Sequence, residues 1–187
     1  AESGVALFVK HPDSKAAFKR ELQALTDLAE ANHVVRLQSV DNSSRKIILL
    51  SAPGESLDKL LDFEGKLSEA EAHKIITQVS DVLCSMHEHK HGAYVHNDIS
   101  ASNIFWDRRR EEVTVIDFGT AYQISNIPDE FRTNIVGTPL YMSPEKLHLK
   151  PELGRSSDMF ALGAIWYQLL SGSPPFCPSV GKLDEQI

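Results

Sequence analysis

The stretch from Val95 to Gly119 constrains this chain more than any other, because three short apolar runs each deliver a polar residue to one place. Ala93 to Val95 leads into His96-Asn97-Asp98, Ile104 to Trp106 follows Asn103, and Val113 to Ile116 leads into Asp117-Phe118-Gly119. Short apolar runs bounded by polar residues read as strands. Asn103 lies five residues after Asp98 and fourteen before Asp117, so two carboxylates and an amide come from neighbouring strand ends. Oxygen donors of this kind suit a hard cation such as Mg²⁺ and the phosphates it bridges. Singly, each Asp would read as a turn or capping residue; the joint spacing is what argues for a site.

Downstream stand Gly137-Thr138-Pro139-Leu140-Tyr141-Met142-Ser143-Pro144-Glu145 and Asp158-Met159-Phe160-Ala161-Leu162-Gly163. A run from Leu169 to Phe176 follows, with Gly172 and a Pro174-Pro175-Phe176 stop. In this order, with the H-x-D-x-x-x-x-N and D-F-G spacings upstream, the motifs resemble those of eukaryotic-type protein kinases, Ser/Thr more than Tyr. The resemblance covers nearly the whole chain. It implies an α+β, two-lobe fold with a small β-rich N-lobe and a larger, mainly helical C-lobe, both incomplete. Residues 1–52 and 53–187 would be the two lobes of one kinase domain, with the hinge near 50–54. The family's first two strands, its glycine-rich loop and its last helices have no counterpart, so a fragment is expected. Local likeness is closest to the phosphoinositide-dependent kinase, at Ile116 to Ala121 and Ser156 to Leu169, although Asn97, Ser100 and Asn134 depart from it.

The resemblance carries roles onto matching positions. Asp98 would orient the attacking hydroxyl and accept its proton, while Asn103 and Asp117 would hold Mg²⁺ against the phosphates of ATP. His96 and Phe118 would align the loop, and Asp158 would tie its backbone from below. Val5-Ala6-Leu7 resembles the family's V-A-I-K, but Phe8 stands where the Lys belongs. Lys10 shares a strand face with Phe8, since side chains alternate, and is either the phosphate-binding Lys or a solvated strand end. Glu21 would pair that Lys, or be an exposed helix Glu beside Lys19 and Arg20. Leu50 and Ala52 would offer main-chain groups to adenine, with Leu49 behind the ring and Ser56 near the ribose. Thr138 implies a protein substrate with a Ser or Thr acceptor.

Two replacements change the expected chemistry. Asn97 stands where many kinases carry an Arg that clamps an activation-segment phosphate, and an amide cannot make that bidentate contact. Activity is therefore expected not to depend on phosphorylation of that segment in the usual way. Ser100 stands where Ser/Thr kinases place a Lys on the transferred phosphate, so transition-state stabilisation should be weaker.

Elsewhere, Gly4 to Lys10 reads as a strand and Ser14 to Glu30 as a helix capped by Ser14, with Phe18, Leu22, Leu25 and Leu28 as its apolar stripe. Val34 to Val40 and Ile47 to Leu50 read as strands around the turn Asp41 to Ser44, and Ser56 to Phe63 as a short helix. Another helix begins at Ser68, with Glu71 completing a capping box and a stripe from Ile75 to Met86. His87, His89 and His91 read as surface residues rather than a zinc site, and Arg108-Arg109-Arg110 as a solvated turn.

A net charge of -7 argues against nucleic-acid binding. The 187 residues, 42% of them apolar, suit one globular domain or slightly more. Cys84 and Cys177 lack paired spacing, which suggests a reducing, cytoplasmic setting. No run is long and apolar enough to span a bilayer, and no signal peptide is expected. Three functions follow: a protein Ser/Thr kinase, a pseudokinase binding nucleotide or serving as a scaffold, or a small-molecule phosphotransferase of the choline or aminoglycoside kinase type. The Gly137 to Glu145 segment disfavours the last. Oligomeric state is not legible.

Overall fold

The computed structural model describes residues 6–148 and 154–176. The first apolar run forms β1 (Leu7–Lys10), and Gly4 and Val5, expected at its start, lie outside the described residues. Ser14 caps α1 (Lys15–Asp27) by accepting the Ala17 N–H at 3.0 Å, which satisfies one of the orphan donors at the helix start. Phe18, Ala24 and Leu25 turn inward, and so does Glu21. β2 (Leu37–Asp41) and β3 (Lys46–Leu50) form a hairpin whose turn is closed by Asp41, the acceptor for Ser43 and Ser44. The sheet order is β1-β3-β2, antiparallel, with Lys10 opposite Ile47.

Gly54 turns the chain out of this sheet at φ 81°, so close to the next that a Cβ would stand 2.1 Å from Trp106 O. Only glycine fits there. A two-residue strand, β4 (Glu55–Ser56), runs into α2 (Leu57–Glu64). α3 (Glu69–His87) buries Ile75, Ile76, Val79, Val82, Leu83 and Met86 in the main core. Ser68 accepts the Glu71 N–H at 3.3 Å, but the capping box is half-formed: the Glu71 carboxylate takes Trp106 Nε1 at 2.8 Å and Arg108 Nε at 2.6 Å. Arg108 also forks onto Glu64, so the basic turn is partly tied down rather than solvated throughout.

β5 (Tyr94–Val95) precedes the loop containing Asp98, and β6 (Ile104–Asp107) pairs antiparallel with β7 (Glu112–Val115). β8 (Tyr122–Gln123) returns to β5. Three further helices follow: α4 (Asp129–Thr133), α5 (Pro144–Leu147) and α6 (Arg155–Ser171), the last ended by Gly172 in the left-handed region. The strand-rich part thus precedes a mainly helical part, and α3 packs against both α6 and β7. Leu7, Phe8 and Val9 on β1 and Trp166 and Tyr167 on α6 are exposed. Among the described residues no helix is long and apolar enough to cross a membrane.

Candidate active site

The β6–β7 ribbon sets the frame. Its pairing runs from Asp107↔Glu112 to Ile104↔Val115 and continues with Ile116 N–H to Asn103 C=O at 2.9 Å. Asn103 and Asp117 therefore leave the same end of two adjacent strands, which run about 5 Å apart. Asn103 Nδ2 donates to Asp98 C=O at 2.9 Å and Asp98 Oδ2 at 3.1 Å, directing its Oδ1 elsewhere. Asp98 Oδ1 accepts both the N–H and the hydroxyl of Thr138, each at 2.8 Å. Three donors from two segments hold this carboxylate.

Below it, Asp158 is 2% exposed and accepts three bonds at 2.9 Å: from the His96 N–H, the Asn97 N–H and His87 Nε2. His87 is thus buried, contrary to the surface reading of the His run, because Asp158 arrives from a distant helix. His96 and Phe118 are fully buried with ring centroids 4.9 Å apart, and burial lowers the His96 pKa. Asn97 and Asp117 adopt positive φ, 70° and 61°, a conformation that Asn and Asp tolerate better than most residues.

Lys10 Nζ reaches Glu21 Oε1 at 2.7 Å and also contacts Asp117 Oδ1. Burial alone would lower the Lys10 pKa, yet the Glu21 and Asp117 carboxylates prevail and raise it. Burial raises the Glu21 pKa against the pull of Lys10. Burial works the same way on Asp117, but Lys10 outweighs it and the pKa is lowered. Asp117 Oδ1 also accepts the Gly119 N–H at 3.1 Å, and its side chain remains 41% exposed.

An apolar cleft of about 180 Å³ adjoins this cluster, lined by Phe8, Val35, Leu49, Leu50, Ala52 and Ile116 with Lys10 and Asp117 at one end. The family description "protein kinase domain" matches residues 7–186. This chain belongs to the protein kinase domain family. It is 34% identical over 163 residues to CDPK-related kinase 7 of Arabidopsis thaliana, across 84% of this chain and 27% of that protein. Against the calcium/calmodulin-dependent serine/threonine-protein kinase 1 of Oryza sativa the identity is 32%, across 84% of this chain and 26% of the relative. Against serine/threonine-protein kinase pkn3 of Myxococcus xanthus it is 33%, across 86% and 30%. The chain thus spans less than a third of the length of these relatives. The Cydia pomonella granulovirus kinase PK-1 shares its fold, with a TM-score of 0.74 at 24% identity over 91% of this chain and 60% of that one.

Within this kinase domain the structure brings together Asp98 and Asn103 on one side and Lys10, Glu21 and Asp117 on the other, with Leu50 and Ala52 at the cleft. The Leu50 N–H is already given to Arg36 C=O at 2.9 Å, so it is not available to a ligand. Ser56 is not brought to the cleft. It is 4% exposed, and the alternation of β4 turns Glu55 outward instead.

Two features had no signal in the sequence. Arg20, next to Glu21, donates to Gly119 C=O at 3.2 Å, pairs with Glu130 at 2.9 Å and stacks over Phe131 at 4.7 Å, linking α1 to α4. Lys146 on α5 is buried and donates to Asn97 C=O.

Proposed function

We propose that this chain is the catalytic domain of an ATP-dependent protein serine/threonine kinase, with residues 1–52 and 53–187 as its lobes and the hinge near 50–54. The observation that carries this reading is the meeting of Lys10, Glu21 and Asp117, which come from β1, α1 and the turn after β7. Such a cluster has no packing purpose that apolar residues would not serve at less cost. Asp98, fixed by Thr138 and Asn103, orients the acceptor hydroxyl and takes its proton as the oxygen bonds the γ-phosphorus and ADP departs. Lys10, steadied by Glu21, draws on the nucleotide phosphates. The donor set fits Mg²⁺, which takes one or two carboxylates plus phosphate oxygens: Asn103 Oδ1 and the exposed Asp117 carboxylate would hold it. Bound there, the ion would neutralise phosphate charge.

The cleft suits an adenine, with Ala52 supplying a main-chain contact. A protein acceptor is supported by Thr138 on Asp98, a contact that ties the substrate-side segment to the base, and by the names of the relatives. The Arg20–Glu130 pair supports activity without a phosphorylated activation segment, since a fixed carboxylate already engages α1. The two cysteines support a cytoplasmic setting.

A second reading, a nucleotide-binding pseudokinase scaffold, draws on Asn97 and Ser100, which leave the loop itself without a cation. Transfer of γ-phosphate from Mg-ATP to Ser/Thr peptides by the full chain, lost in Asp98→Asn and Asp117→Ala, is the expected result. A thermal shift with Mg-ATP but no transfer would select the pseudokinase.

A further inference from the structure

Neither loop position where protein kinases carry a cation has one here: Asn97 and Ser100 are both uncharged and buried. A cation reaches the loop from elsewhere. Lys146 lies one residue past Ser143-Pro144-Glu145 and is 7% exposed. Its Nζ donates to Asn97 C=O and flanks Gly137, where a Cβ would stand 2.9 Å from Nζ and 3.2 Å from Asp98 Oδ1. Ammonium and carboxylate thus crowd the point where a side chain of this glycine, at φ 114°, would begin. The cavity between them, bounded by Asn97, Asp98, Thr138, Lys146 and Asp158, measures about 10 Å³, room for a single water.

The charged groups facing Nζ are Asp98 from the loop and Asp158 from α6, and His87 of α3 reaches Asp158. No carboxylate among the described residues forms an ion pair with Lys146. A buried ammonium bonded to one carbonyl is an unfavourable placement that an apolar side chain would avoid. Its position beside the base gives it a use.

We propose that Lys146 is the positioning residue that supplies the catalytic loop with its missing positive charge. The ammonium pins the Asn97 carbonyl, fixing the left-handed turn that aims Asp98, and offsets the negative charge gathered at Asp98 when acceptor and nucleotide phosphates arrive. This rests on the reading of Asp98 as the base. Burial brings the Lys146 pKa down to about 8 against the pull of Asp98 and Asp158, so its charge can be removed within a workable pH range.

The test compares the full chain with Lys146→Met, a side chain of similar length without charge, by peptide phosphorylation with Mg-ATP and by two-dimensional amide spectra across pH. Lys146→Met should lower kcat by about ten- to hundredfold with KM for ATP held within about twofold. It should also abolish a decline of the parent's kcat centred near pH 8. A kcat within about twofold of the parent overturns the proposal, and so does a decline that persists in the variant. Failure of the kinase reading shows separately, as a parent that transfers no phosphate. In that case the amides of Asn97, Asp98 and Thr138 decide: signals moving with a midpoint near pH 8 in the parent and still in the variant uphold the Lys146 placement. Signals that do not titrate in the parent overturn it.

Discussion

Replacing Asp158 by Asn tests how the catalytic loop is held. The side chain keeps its shape but can accept on one oxygen only. If that oxygen keeps His96 N–H and His87, both at 2.9 Å, the new Nδ2 faces the Asn97 N–H, donor against donor. At 2% exposure no bulk water relieves that N–H. An unsatisfied buried donor costs about 1–3 kcal/mol, and two bonds losing their charge assistance cost about 0.5–1 kcal/mol each. The sum, about 2–5 kcal/mol, is a large share of the roughly 5–15 kcal/mol that stabilises a domain. Urea unfolding of parent and variant, followed by tryptophan fluorescence, should show a lower midpoint at unchanged slope. Because Asn97 is the residue released, kcat should fall as well. A loss below about 1 kcal/mol would refute the claim that these bonds hold the loop.

Lys146 titrates at about 8 in the fold and near 10.5 when unfolded, so folding releases a proton between those values and parent stability should rise as pH climbs through that window, by about 3 kcal/mol in all. Lys146→Met should be the more stable protein at pH 7 and lack this rise; a flat parent curve from thermal melts would contradict it. Arg20→Met removes a pair whose Glu130 partner is half exposed, so it should cost only about 1 kcal/mol while slowing phosphate transfer several-fold. Thr133→Glu should leave the rate near the parent's; strong activation in a kinase assay would contradict a segment already held by Glu130. Gly54→Ala combines a left-handed φ with a 2.1 Å approach to Trp106 O and should cost about 3–5 kcal/mol, read as a large drop in Tm.

The fold was legible where one strand or helix carries its own pattern. The stripe from Ile75 to Met86 forms the core face of α3, Ser14 caps α1, and the runs before Asp98 and Asp117 are strands. Period two sufficed to bring Lys10 to the face where Glu21 and Asp117 meet it. Two misreadings concern side chains whose partners lie far along the chain. Glu71 was expected to close its own capping box, but Trp106 and Arg108 take it from across the fold. His87 was placed on the surface because Asp158, 71 residues away, cannot be seen from a helix end. Ser56 was placed near the ribose by resemblance alone, and the fold buries it while its neighbour Glu55 faces out. Lys146 sits on a four-residue helix with no period to read, and its burial follows only from how the segment folds back over Asn97.

The lysine beneath Asn97 also restricts which side chains position 97 can hold. An arginine placed at position 97 would bring a guanidinium into a chamber with room for one water, already occupied at its edge by an ammonium. Two cations that close repel, so Asn97→Arg should be tolerated only together with the loss of the Lys146 charge.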